Sequence, residues 1–192
     1  TLTIKDDGPE VIVDGKATEL ILDETVSAEM LTASTNVSNL FSKTHHSADG
    51  DEGVYTIMAS DAKLMEGGKE VTQALVDGER YTIALTVGDD GILHGFVKIG
   101  NDNVDIFTVS VDQTGKVEFK FSTTDGKPNG TLVHSDPENH DDAMSLTGVN
   151  VKYTVTDKDG DSDYKEVPLT LTIKDDGPTI SAKGTTGELK VD

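Results

Sequence analysis

Cysteine is absent from the 192 residues, which excludes disulfides, thiolate nucleophiles and cysteine-ligated zinc. A secreted domain without cysteine needs another crosslink, and bound metal is the obvious candidate. Tryptophan is also absent, and the aromatic rings are 5 Phe and 4 Tyr. The flat stacking platforms that sugar sites commonly use are therefore scarce. Basic residues are few: 16 Lys and Arg stand against 36 Asp and Glu, for a formal charge of −20. That balance opposes binding to nucleic acid or to an anionic membrane surface, both of which need cations facing phosphate. It suits a protein surrounded by divalent cations, which relieve the repulsion among so many carboxylates. No apolar run is long enough to span a bilayer, and no N-terminal signal pattern is present. Phosphate loops, nucleophile elbows and metalloprotease motifs are missing, and the carboxylates form no recognisable acid/base motif, so an enzyme is not expected.

What is present is a repeat. Residues 1–9 read TLTIKDDGP, and residues 170–178 read the same nine letters. The offset of 169 continues without a gap, pairing Gly15 with Gly184, Glu19 with Glu188, Leu20 with Leu189 and Asp23 with Asp192. Nine identities in a row exceed what a shared hairpin preference gives. The expected organisation is the last strand and linker of one repeat over 1–9, a complete repeat over 10–178, and the start of the next over 179–192.

Between the repeated ends, apolar and polar residues alternate over 54–59, 81–87, 106–111, 117–121, 149–155 and 167–173. These runs are rich in Val, Ile, Thr, Phe and Tyr, which suit a half-buried pleated surface. Turn dipeptides separate them: Asp49-Gly50, Asp77-Gly78, Asp90-Gly91, Asp125-Gly126, Asn129-Gly130 and Asp159-Gly160. Stretches 24–31 and 59–65 are candidates for short helical turns. Many short strands at this spacing predict an all-β, immunoglobulin-like antiparallel β-sandwich with Greek-key connections.

The densest carboxylate motif is Asp157-Lys158-Asp159-Gly160-Asp161-Ser162-Asp163. Four carboxylates at alternate positions flank a glycine, and hard cations such as Ca²⁺ take six to eight oxygen ligands. It is not an EF-hand, because Ser162 occupies the glycine position, Pro168 the bidentate glutamate position, and the flanks read as strands. The competing reading is an exposed acidic hairpin turn. A second motif, Lys5-Asp6-Asp7-Gly8-Pro9, recurs as Lys174-Asp175-Asp176-Gly177-Pro178 at the repeat junctions. Paired aspartates there, with Asp23-Glu24 one strand later, fit an interdomain cation site or a simple strand-ending turn. Asp49-Gly50-Asp51-Glu52 is a third acidic loop, a solvated turn as readily as a cation site. Asp89-Asp90-Gly91 and Asn101-Asp102-Asn103 read as plain hairpin turns. His134, Asp136, Glu138 and His140 are spaced to share one strand face, but Pro137 interrupts the strand. That segment reads as a loop rather than a zinc site, and His45-His46 likewise reads as loop.

The stretches LVH at 132–134, PEN at 137–139, YTVTDKDGD at 153–161 and LTLTIKDDGP at 169–178 together resemble the tandem repeat of giant type I secreted RTX adhesins. Leu22-Asp23-Glu24 and the pattern through Leu40-Phe41, Asp49-Gly50 and Val54-Tyr55 extend that resemblance over most of 10–178. It implies an immunoglobulin-like extender domain on a bacterial cell surface, used in adhesion and biofilm formation, with calcium at its junctions. The implied ligands are Asp6, Asp7, Glu24, Asp157, Asp159 and Asp161, with Asp163 completing the acidic loop and Asp175 and Asp176 serving the next junction. On this reading Glu24 works with Asp6 and Asp7, and the junction at Asp175 lacks its glutamate. The partners implied are neighbouring repeats of the same chain, with host or other-cell ligands reached through other domains. The alternative is a sugar- or peptide-binding module of the same adhesin, using loops 49–53 or 134–142. The unit is longer than the usual family repeat, with the extra length expected within 59–100.

Overall fold

The structure, a computed structural model, describes residues 8–24, 31–45, 50–135 and 142–175. The first strands are β1 (Glu10–Val13), β2 (Leu20–Asp23), β3 (Thr32–Asn36), β4 (Phe41–His45) and β5 (Asp51–Met58), with one 3₁₀ turn at Ser38–Leu40. The middle of the chain forms β6 (Lys63–Glu66), β7 (Lys69–Val71), β8 (Gln73–Val76), β9 (Glu79–Val87), β10 (Leu93–Ile99), β11 (Asp102–Val111) and β12 (Lys116–Phe121). Three short strands follow: β13 (Thr123–Thr124), β14 (Lys127–Pro128) and β15 (Thr131–Leu132). The chain then makes β16 (Ala143–Thr147), β17 (Asn150–Asp157), β18 (Ser162–Pro168) and β19 (Leu171–Lys174).

The all-β sandwich expected from the sequence is what these strands build. One layer is a seven-stranded sheet in the order β15-β8-β9-β10-β11-β12-β3. The other combines β2-β19-β16-β6-β7 with β18-β17-β5. Strand β12 shows the alternation that drives this: Val117, Phe119 and Phe121 are buried while Lys116 and Lys120 face water. Phe107 and Phe119 meet edge-to-face at 5.7 Å between ring centres, a favoured aromatic geometry. Leu22, Leu64, Met144, Leu146, Leu171 and Ile173 supply the facing layer, all at or below 1% exposure.

A bulge between Gly95 and Phe96 breaks the β10–β11 register, so the adjacent Ile106 and Phe107 are both fully buried. Gly95 lies directly beneath the Phe107 ring, where a Cβ would overlap the aromatic carbons. The Asp77-Gly78 and Asp125-Gly126 turns form as two-residue hairpin loops, and both residues of each have positive φ. That is the backbone the primed turns demand. Asn129-Gly130 is not such a turn: Gly130 has no positive φ and instead allows close approach of the Leu75 carbonyl.

The expected helical turn over 59–65 is a turn followed by strand β6. Leu64 and Glu66 point inward and Lys63 outward, and β6 pairs with β16, so a period of two wins over local helix preference. The other helical candidate, 24–31, falls for residues 25–30 outside the described residues. Residues 59–100 form β6 to β10, which contribute to both layers.

One feature organises both ends of the domain. Strands β16 and β17 run antiparallel to β19 and β18 as a single long hairpin. Leu146 is opposite Leu171 and Asn150 opposite Pro168. Between those pairs, Thr147, Gly148 and Val149 face only Leu169 and Thr170, a one-residue bulge. Gly148 has φ +74° and lies against the Asp61 carbonyl, so only glycine fits there. The closing turn of the hairpin holds Asp157 to Asp161, and its open end carries Asp142 and Asp175, joined by the Asp175 N–H donating to the Asp142 carbonyl at 3.0 Å. Turn and open end are about 45 Å apart along the strands, at roughly 3.3 Å per residue.

Candidate metal centres

At the turn end, Asp157, Asp159 and Asp161 each offer a carboxylate oxygen, all within 4.8 Å of one another. The loop's own backbone causes the convergence. Asp157 is buried at 8% exposure, and its Oδ1 accepts N–H bonds from Gly160 at 3.0 Å and Asp161 at 2.8 Å. Gly160 takes φ +102°, a conformation open to glycine at little cost, and this turns the chain back on itself. The third acidic loop joins the same place: Asp51 is the register partner of Asp157, and Gly50, Asp51, Glu52, Thr156, Asp157 and Lys158 line one cleft. The Asp51 carboxylate, 3% exposed, pairs with Lys43 at 3.5 Å.

Asp163, the fourth member of the sequence motif, is used differently. Its Oδ2 accepts the Val11 N–H at 2.8 Å and sits 3.4 Å from Lys165. The bond from Val11, with smaller help from Tyr164 and Lys165, holds its pKa below the usual aspartate value. Asp163 thus fastens β1 to the hairpin. Gly8 packs on Asp161 nearby, at the turn end. Asp6 and Asp7 lie outside the described residues.

The open end holds a different group. Strand β2 pairs parallel to β19, with Leu20 opposite Leu171 and Asp23 opposite Lys174. This register sets Glu24 beside Asp175, and the Glu24 N–H bonds to the Lys174 carbonyl at 3.1 Å. Glu24 therefore belongs to the end where the strand path finishes, not to the end where Gly8 meets Asp161. The expectation that the Asp175 end lacks a glutamate is overturned, because the unit supplies its own from β2. Asp176 lies outside the described residues.

His134 completes this group. Its Nε2 is 3.5 Å from Glu24 Oε2 and 3.8 Å from Asp175 Oδ1, while its Nδ1 is 2.9 Å from Glu66 Oε1. The other oxygens of the two glutamates are held by backbone: Leu132 N–H donates to Glu24 Oε1 at 2.7 Å and Ser135 N–H to Glu66 Oε2 at 2.6 Å. His134, Glu24 and Glu66 side chains are 5%, 3% and 5% exposed. Burial disfavours the imidazolium, but the Glu24 and Glu66 carboxylates and the Asp175 charge outweigh it and raise the His134 pKa to about 9. Burial raises the Glu24 pKa despite His134 and Leu132. At Glu66 the burial cost is outweighed by bonds to Ser135 and His134, and its pKa is lowered.

The sequence pattern grouped His134 with Asp136, Glu138 and His140, which lie outside the described residues. The structure gives it partners from β2, β6 and the end of β19 instead. Glu66 was not a sequence candidate. Its signal was there in the Leu64-Met65-Glu66 alternation, which puts a carboxylate on the same face as a core leucine. Asp90 and Asp105 flank His94, at 3.1 Å from Nε2 and 2.8 Å from Nδ1, so the Asp89-Asp90-Gly91 turn also anchors a side chain.

These features define an all-β sandwich with a carboxylate group at each end of one long hairpin. The chain belongs to the family described as domain of unknown function (DUF5801), which matches residues 19–170. No curated protein matches the chain.

Proposed function

We propose that this domain is a calcium-binding extender, one unit of a tandem array on a bacterial cell-surface adhesin that holds a distal ligand-binding region away from the cell. One observation carries the reading: Gly8 lies beside Asp161 at the turn end, and Asp175 lies beside Glu24 at the open end. A unit whose chain ends lie at opposite poles can be strung end to end into a rod, with the long hairpin as its spine. The TLTIKDDGP sequence recurs at 1–9 and 170–178, so the same acidic pair precedes Gly8 and follows β19 in the chain.

Calcium is assigned to the turn end. Asp157, Asp159 and Asp161 give all-oxygen ligation, which favours hard cations over zinc. Asp6 and Asp7 precede Gly8 in the chain and are the further ligands the family resemblance implies there. The −20 charge makes the apo form self-repelling, so metal both fills the site and compacts the domain. Type I secretion, an extracellular location and a role in adhesion and biofilm follow from the same resemblance.

The test is a calcium titration followed by calorimetry and thermal unfolding. Saturable calcium binding that is lost in Asp159→Ala and Asp161→Ala, with a melting temperature lowered by EGTA, is the expected result. A melting temperature and a radius of gyration of a two-unit protein that are both indifferent to EGTA would sink the reading.

A further inference from the structure

We propose that Glu24 Oε2, His134 Nε2 and Asp175 Oδ1 form a second metal site, built for a zinc-class divalent cation rather than for calcium. The observation that points to a ligand is the imidazole. His134 is 95% buried, and its Nε2 is enclosed yet makes no well-formed hydrogen bond. Buried polar atoms are nearly always hydrogen-bonded, and this nitrogen has only long ion-pair contacts. It is aimed into the gap between two carboxylates, at 3.5 and 3.8 Å.

The spacing suits a small tetrahedral ion. Bonds of about 2.0–2.1 Å to nitrogen and oxygen place neighbouring ligand atoms about 3.4 Å apart around zinc. The three donor atoms lie within 4.8 Å of one another, so small side-chain rotations close the set. Calcium prefers six to eight oxygens at about 2.3–2.6 Å and gains little from an imidazole. Imidazole with carboxylate is a donor set for zinc and its neighbours.

The surroundings have the form of a metal site's supporting shell. A ligating histidine characteristically gives its other N–H to a carboxylate, which fixes the ring and its tautomer. Here Glu66 Oε1 receives Nδ1–H at 2.9 Å, and Ser135 N–H locks Glu66 in turn. Glu24 is oriented the same way, because Leu132 N–H holds Oε1 and leaves Oε2 toward the imidazole. Each of these two ligands is thus gripped by its non-ligating atom. A surface cleft lined by Glu66, Val133, His134 and Ser135 opens on the supporting side of the group. Binding the ion releases the proton from Nε2, and water takes the fourth position of the tetrahedron. Such an ion ties β2, β19 and the segment after β15 together at the open end of the hairpin.

The experiment uses the whole 192-residue chain in excess calcium, so that the turn-end carboxylates are occupied. Zinc is titrated by calorimetry, and cobalt is added to a parallel sample for its visible spectrum. The expected result is one equivalent of zinc bound, a raised melting temperature, and the intense visible bands of tetrahedral cobalt. His134→Gln and Asp175→Asn abolish all three. Glu66→Gln, which removes only the support, weakens zinc about 10- to 100-fold. The double variant His45→Gln/His46→Gln leaves binding intact. The proposal is overturned if zinc binds without stoichiometry, if His134→Gln binds as well as the parent, or if only the His45/His46 variant loses binding. Should His134→Gln fail to fold, Asp175→Asn and Glu66→Gln decide the matter by themselves. Calcium binding at Asp157, Asp159 and Asp161 is unaffected by these variants, so failure here and failure of the calcium reading are distinguishable.

Discussion

His134 Nε2 faces Glu24 Oε2 across 3.5 Å at the open end of the long hairpin. The two residues are far apart in sequence, and Glu24 does a second task there by accepting the buried Leu132 N–H. Glu24→Ala strips that amide of its acceptor. Leaving a buried donor unpaired costs about 1–3 kcal/mol. Urea unfolding in EGTA, where calcium does not contribute, should show an unfolding free energy lowered by that amount, with a lower midpoint and an unchanged slope.

The acidic loop should separate into two functions under mutation. Asp163→Ala removes the acceptor for Val11 N–H, and losing a hydrogen bond to a charged group costs about 1.5–3 kcal/mol. Its calcium affinity should stay within a factor of a few of the parent. Asp159→Ala should do the reverse, with little loss of stability in EGTA and a clear loss of calcium binding. At ten to a hundred times the dissociation constant, calcium should stabilise the parent by roughly 1–3 kcal/mol and the Asp159 variant by far less. Calorimetry and unfolding on the same samples check both halves.

Gly95 is required by packing, not by backbone angle. A methyl group there overlaps the Phe107 ring at the centre of the seven-stranded sheet. Gly95→Ala should destabilise the domain by about 1–3 kcal/mol, the usual cost of overpacking a core. Pairing it with Phe107→Leu should recover part of the loss, and a double-mutant cycle measures the coupling.

His94 gives a pH dependence with a definite sign. Burial alone would lower its pKa, but Asp105 and Asp90 outweigh that and raise it above the ordinary value of 6.5. A histidine whose folded pKa is raised adds stability that is fully present below the unfolded pKa. That contribution is lost as pH rises through the folded pKa. The melting-temperature gap between the parent and His94→Gln should therefore be widest below the ordinary histidine pKa and shrink as pH rises through the raised folded pKa. A gap that grows with pH would contradict the assignment.

Much of the fold was legible because its determinants are local. Alternation found strands β5, β9, β12 and β17, where side chains alternate between core and solvent, and part of β11, where the bulge opposite Gly95 breaks the period. Asp-Gly pairs found the turns at 77–78 and 125–126, because primed turns need residues that accept positive φ. Strands β6 and β7 were missed: they are three or four residues long, too short for a period of two to stand out. The break between β18 and β19 was missed as well, because it answers a bulge at Gly148 on the partner strand, and a bulge leaves no local mark.

The sequence by itself determined that the chain is a β-sandwich and that Asp157, Asp159 and Asp161 converge. Seven residues and one glycine turn suffice to bring those carboxylates together, so their meeting is written in their spacing. Only the tertiary structure decided that Glu24 belongs with Asp175, and that His134 stands between them on a Glu66 support. That group depends on a parallel pairing of β2 with β19, between residues about as far apart as the domain allows. Such a pairing is selected by burial of Leu20, Leu22, Leu171 and Ile173 in one shared core. No rule of short-range periodicity reports which distant strand a buried face will choose.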